Sequence, residues 1–118
     1  RRDLIAQAIP ALGAEDVLRL RRAVLATHAS DALVGYVQAL LNRSRHAPGV
    51  RMGLSPRAGI ALLRAARAHA LLAGRDHVLP EDVQALFVPV AAHRLVPESD
   101  AGDGTTLAEA ILRDVAVD

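Results

Sequence analysis

The residues best suited to chemistry gather at Gly53-Leu54-Ser55-Pro56-Arg57-Ala58, directly ahead of an Ala/Leu-rich run. Ser55 is a strong helix N-cap, because its hydroxyl can accept a hydrogen bond from a free backbone N–H of the first turn. Pro56 suits the first helical position, where its missing N–H is no loss and its φ is already helical. Arg57 is the unusual member. A cation in the first turn opposes the helix macrodipole, typically at a few tenths to about 1 kcal/mol. Free N–H groups, the positive dipole end and a guanidinium fork together suit an anion, above all a phosphate. So short a motif also admits a plainer reading, a solvated surface arginine or a structural ion pair.

Other reactive arrangements are missing. No glycine-rich loop ends in Lys-Ser/Thr, the pattern that cradles phosphates in nucleotide hydrolases. His28, His46, His69, His77 and His93 are scattered, with no second ligand at metal spacing, so no metal site is expected. Ser55 has no paired base and acid, which argues against nucleophilic catalysis. The acid pairs Glu15-Asp16 and Glu81-Asp82 stand at helix starts, where capping accounts for them. Nothing in the chain would catalyse a reaction alone.

Helices must do the positioning. Gly13-Ala14-Glu15-Asp16 opens a first helix whose Val17, Leu20, Val24 and Leu25 share one face. Ser30 caps a second, with Asp31 in its first turn and Leu33, Val34, Val37, Leu40 and Leu41 as its apolar stripe. Residues 42–52, with Arg43, Arg45, His46, Pro48 and Gly49, read as a polar loop. The third helix spans about Pro56 to Ala73 and stops at Gly74; apolar nearly all round, it should be central. Arg57 and Arg64 lie a heptad apart on it and project on nearly the same side. Pro80-Glu81-Asp82 opens a fourth helix carrying Val83, Leu86, Phe87 and Val90 inward, which Pro89 should bend or break. Residues 97–105 read as a flexible loop. Thr106-Leu107-Ala108-Glu109 forms a capping box for a short last helix to about Asp114. No alternating pattern predicts a sheet. The fold class is therefore all-α: a small bundle of about four main helices plus a short C-terminal one.

Composition fits one small domain. Of the 118 residues 52% are hydrophobic but only 2% aromatic, so the core is built from Leu, Val, Ile and Ala. A net charge of +1 implies no polyanionic partner, and the absence of cysteine excludes disulfides and fits a reducing compartment. No apolar run reaches membrane-spanning length and none reads as a secretory leader. A chain that opens on Arg1 without methionine reads as a piece of a longer protein.

Several linked motifs resemble the C-terminal lid of MoxR-type AAA+ ATPases. They are Gly53-Leu54-Ser55-Pro56-Arg57-Ala58, Leu62-Leu63-Arg64-Ala65-Ala66-Arg67-Ala68, Gly74-Arg75-Asp76-His77-Val78-Leu79-Pro80-Glu81-Asp82-Val83 and His93-Arg94-Leu95. The likeness runs from about residue 14 to the end and is strongest over residues 44–95. It implies that residues 1–118 are a helical lid, with residues 1–13 a linker from an ATP-binding core that the chain lacks. It makes Arg57 the sensor-2 arginine, touching the terminal phosphates of ATP, with Ser55 and Pro56 shaping the helix start. Arg45 and Arg64 become candidates for further phosphate or intersubunit contacts. The resemblance further implies ATP and Mg2+ in the full-length protein, an ATPase parent and a cytoplasmic ring, commonly a hexamer. It implies chaperone-like work on client complexes, with methanol dehydrogenase regulation in some members and von Willebrand factor A-domain partners in others. Two positions depart from the family pattern: Ser44-Arg45 stands for Thr-Arg, and Leu79 replaces the threonine before Pro-Glu-Asp. A second function class is a histone-fold-like module that binds DNA or protein without ATP, with Arg57, Arg64 and Arg67 as a basic stripe. Balanced charge and scarce aromatics count against nucleic acid.

Overall fold

Residues 13–99 and 102–117 are described by a computed structural model; all but the last residue of the expected 1–13 linker lies outside them. Five α-helices form among the described residues: α1 (Ala14–Ala26), α2 (Asp31–His46), α3 (Pro56–Leu72), α4 (Pro80–Ala91) and α5 (Gly104–Asp114). Their starts follow local chemistry. Asp16 accepts from the Gly13 N–H at 3.2 Å to open α1, and Ser30 Oγ accepts from the Leu33 N–H at 3.1 Å to open α2. The bundle is all-α, as the sequence implies.

Four local expectations fail. Helix α2 continues through residues read as a loop and ends at His46. Arg43, Arg45 and His46 sit well in a last turn, where the dipole favours cations, and Pro48 follows as a stop. A two-stranded antiparallel ribbon, β1 (Val50–Met52) with β2 (Val96–Pro97), forms where no sheet was expected. Strands this short carry no detectable alternation. Pro89 does not break α4, which runs on to Ala91. A proline in the last turn forfeits little of the hydrogen-bond ladder, and burial of Val83, Phe87 and Ala91 along one face keeps the helix going. Finally, Thr106 is not the cap of the last helix. Asp103 is, its carboxylate accepting from the Thr106 N–H at 2.9 Å, so α5 starts at Gly104.

The core lies between α2, α3, α4 and α5, with Leu40, Leu62, Val83, Phe87 and Ile111 fully enclosed. Helix α3 is central and packs most extensively on α4. It turns small residues inward (Ala58, Gly59, Ala66, Ala70), which lets neighbouring backbones approach closely. Both aromatic side chains, Tyr36 and Phe87, are buried. Helix α1 differs: none of its residues is buried, and its apolar face lies along α3 with Leu20 46% and Leu25 58% exposed. Its C-terminal end is tied by backbone bonds, His28 N–H to Asp76 carbonyl at 2.9 Å and Val78 N–H to His28 carbonyl at 2.8 Å.

Candidate anion-binding site

The start of α3 is built as its residues require. Ser55 is extended (φ −78°, ψ 163°) and its Oγ accepts from the Ala58 N–H at 3.2 Å, with Pro56 in the first turn. The segment ahead of it is clamped to the end of α2. Ser44, fully buried, donates through Oγ to the Leu41 carbonyl at 2.6 Å and accepts from the Leu54 N–H at 2.8 Å. Arg45 Nε donates to the Leu54 carbonyl at 3.2 Å. Gly53 lies so close that a Cβ there would stand 2.7 Å from the Arg45 backbone. Glycine is required by contact, not by φ.

This clamp aims the first turn of α3 at an open groove of about 370 Å³ lined by Met52, Gly53, Ser55, Arg57, Ala58, Ala61, Arg94 and Val96. None of these residues is acidic. Arg57 is exposed, and no described carboxylate pairs with it. Arg94 enters from the turn after α4, brought there because β2 pairs with β1 just ahead of Gly53. Two guanidinium groups and an N-capped helix start thus face one space of a size that small ligands occupy.

The other sequence candidates lie elsewhere. Arg64, two turns beyond Arg57, lines a separate groove of about 320 Å³ with Val17, Leu20, Arg21, Val24 and Leu25 of α1. Arg45 spends its Nε on the loop that it supports. Of the sequence candidates, Ser55 and Arg57 line the groove, whereas Pro56, Arg45 and Arg64 lie outside its lining.

Capping does not fully explain Glu81-Asp82, contrary to the sequence reading. Asp82 is completely buried and accepts four hydrogen bonds: from Arg75 Nη1 (2.5 Å) and Nη2 (2.7 Å), from the Leu79 N–H (2.7 Å), and from His69 Nδ1 (2.6 Å). The Arg75 hydrogen bonds, opposed in part by burial, hold this carboxyl far below the usual carboxylate range. The Asp82 carboxylate in turn raises the Arg75 guanidinium. The Leu79 bond is the half of a capping box that needs no side chain at Leu79, the carboxylate three residues on accepting from its backbone N–H. Arg75 reaches Asp82 because α3 closes in a Schellman turn: Gly74 takes φ 82°, with the Gly74 N–H on the Leu71 carbonyl (2.9 Å) and the Arg75 N–H on the Ala70 carbonyl (3.0 Å). Both ends of α3 are therefore fixed, the first to α2 and the last to α4.

Sequence reasoning missed Arg94 as a member of the groove and Asp82 as a hub. The motif His93-Arg94-Leu95 was visible, but its 37-residue distance from Arg57 hid the convergence.

Comparison with known proteins agrees with this architecture. Residues 42–115 match the family described as the AAA lid domain. The chain is 38% identical over 106 residues to YeaC of Bacillus subtilis, covering 90% of this chain and 33% of that protein. It is 36% identical over 104 residues to the chaperone MoxR1 of Mycobacterium tuberculosis, covering 80% of this chain and 28% of that one. A crystal structure from Cytophaga hutchinsonii, of a protein to which ATPase activity has been ascribed, superposes with a TM-score of 0.83. It is 30% identical and covers 88% of this chain and 36% of that one. The chain spans a third or less of the length of these curated relatives.

Proposed function

The chain belongs to the AAA lid domain family, in the form carried by MoxR-type proteins, and from that premise we propose that it closes over the nucleotide of an ATP-binding core, with Arg57 as the sensor-2 arginine. The observation that carries this reading is the placement of Arg57: first turn of α3, exposed, without a carboxylate partner, facing a groove with no acidic lining. Terminal phosphates fit such a groove, since both guanidiniums and the helix dipole favour negative charge. The groove offers no carboxylate for Mg2+, so a metal would be held by residues of the core.

ATP supplies the phosphoryl bond whose cleavage drives the cycle. Ser55 and Pro56 fix the first turn of α3, so Arg57 meets the phosphates from a preset anchor. A γ-phosphate gives the guanidinium a partner that ADP lacks, and this difference in affinity is what a nucleotide-dependent lid position requires. The half-exposed apolar face of α1, at Val17, Leu20 and Leu25, is the surface on which the core would seat. The parent protein, on this reading, is a cytoplasmic ring ATPase, commonly hexameric, doing chaperone-like work on client complexes, with von Willebrand factor A-domain proteins among its partners.

The test is Arg57→Ala in the full-length protein. Loss of one charge-assisted hydrogen bond, roughly 1.5–3 kcal/mol, should lower ATP turnover by about 10- to 100-fold while the helical circular dichroism of the lid is unchanged. Wild-type turnover together with wild-type nucleotide affinity would remove Arg57 from the site.

A further inference from the structure

Arg94 faces the same groove as Arg57 from a different part of the fold. Its Nη1 donates to the Val90 carbonyl at 2.6 Å and lies 3.2 Å from His93 Nε2. Its Nε and Nη2 make no hydrogen bond to a described residue, and no described carboxylate pairs with it. A guanidinium that served only to close α4 would need nothing beyond that carbonyl. Here Arg94 lines a space that already holds one cation and a helix N-terminus, with no acid in the lining. Two exposed cations on one groove with no acid in its lining make a positive local field that favours an anion. The ribbon of β1 and β2 enforces the arrangement, because Met52 pairs with Val96 and so holds Arg94 beside Gly53.

We propose that Arg94 is a second phosphate-binding residue, gripping the polyphosphate of a nucleoside triphosphate together with Arg57. This rests on the nucleotide reading of the groove given above. The two arginines approach from the start of α3 and from the end of α4, so they contact different oxygens. A chain of phosphates, rather than a single small anion, satisfies both forks at once. Arg94 also couples the far end of α4 to the nucleotide, giving the lid two points of attachment.

The experiment compares Arg94→Gln, Arg94→Glu and Arg57→Ala in the full-length protein, titrated with ATPγS and with ADP and melted in the absence of nucleotide. Glutamine removes the charge but keeps an amide donor, so a loss of nucleotide affinity at an unchanged melting temperature reports the charge and not the fold. Arg94→Gln should weaken ATPγS about 10-fold, ADP by less, and leave the melting temperature unchanged; Arg94→Glu should weaken ATPγS further. If Arg57→Ala loses ATPγS affinity and Arg94→Gln does not, the proposal is overturned while the lid reading stands. If neither variant changes ATPγS affinity, both fall. Equal losses for ATPγS and ADP with a lowered melting temperature in Arg94→Gln would assign Arg94 to the fold alone and overturn the proposal.

Discussion

Replacing Asp82 with alanine should destabilise this domain more than any single change at its surface. The carboxylate is fully enclosed and engages Arg75 through two nitrogens, His69 and the Leu79 N–H. Removing it strands the Leu79 donor, at about 1 kcal/mol for a lost cap, and leaves Arg75 without its partner. Breaking a buried pair costs roughly 3–5 kcal/mol. The low end applies here, because the Arg75 side chain is 26% exposed and can be rehydrated. A total of about 4 kcal/mol corresponds to a melting temperature lowered by roughly 16 °C in a domain of this size. Urea unfolding of the 118-residue chain, followed by far-ultraviolet circular dichroism, measures it directly. Asp82→Asn should lie between wild type and Asp82→Ala, since its amide oxygen can still accept from Leu79. A cycle with Arg75→Met separates the ion pair from the cap. A loss below about 1 kcal/mol, or a cycle with no coupling between the two sites, would refute the assignment of Asp82 as the hub.

Acid should act through the same residue. Its carboxyl is depressed in the folded chain relative to about 3.9 in the unfolded one, so the stabilisation is complete above about pH 4 and is lost as pH falls towards the folded value. The urea midpoint should therefore fall steeply below pH 4 in wild type and much less in Asp82→Asn; parallel curves would remove Asp82 as the cause. At the other end of α3, Gly53→Ala places a methyl 2.7 Å from the Arg45 backbone, which cannot swing aside as a side-chain tip would. It should cost roughly 1–3 kcal/mol by urea unfolding and, if Arg57 acts as proposed, lower ATP turnover in the full-length protein through its displacement.

The legible parts of the fold were those written in short segments. Ser30 and Ser55 announce their helices because a cap and its N–H lie three residues apart, and the apolar period of α2 and α3 survives in the core. The place of Arg57 at the start of α3 was legible for the same reason, Ser55 and Pro56 being its neighbours in sequence and in the fold. Arg94 was not, because it arrives through a strand pair too short to leave a pattern. Asp82 was half legible. Its cap to Leu79 is local, but its bonds to Arg75 and His69 depend on how the chain folds back after Gly74. Thr106 misled because threonine followed by glutamate imitates a capping box, and the acid three residues earlier captured the same N–H.

Because α3 is anchored at both ends, its first turn cannot travel by local unwinding or by sliding along its neighbours. If Arg57 holds a phosphate as proposed, it has two ways to follow a departing one: rotation about its own side-chain bonds, over a few ångströms, or displacement of the whole bundle. Once the phosphate moves beyond the sweep of the side chain, the bundle must follow or the contact must break. On that reading, the length of an arginine sets the threshold between a site that adjusts and a lid that moves.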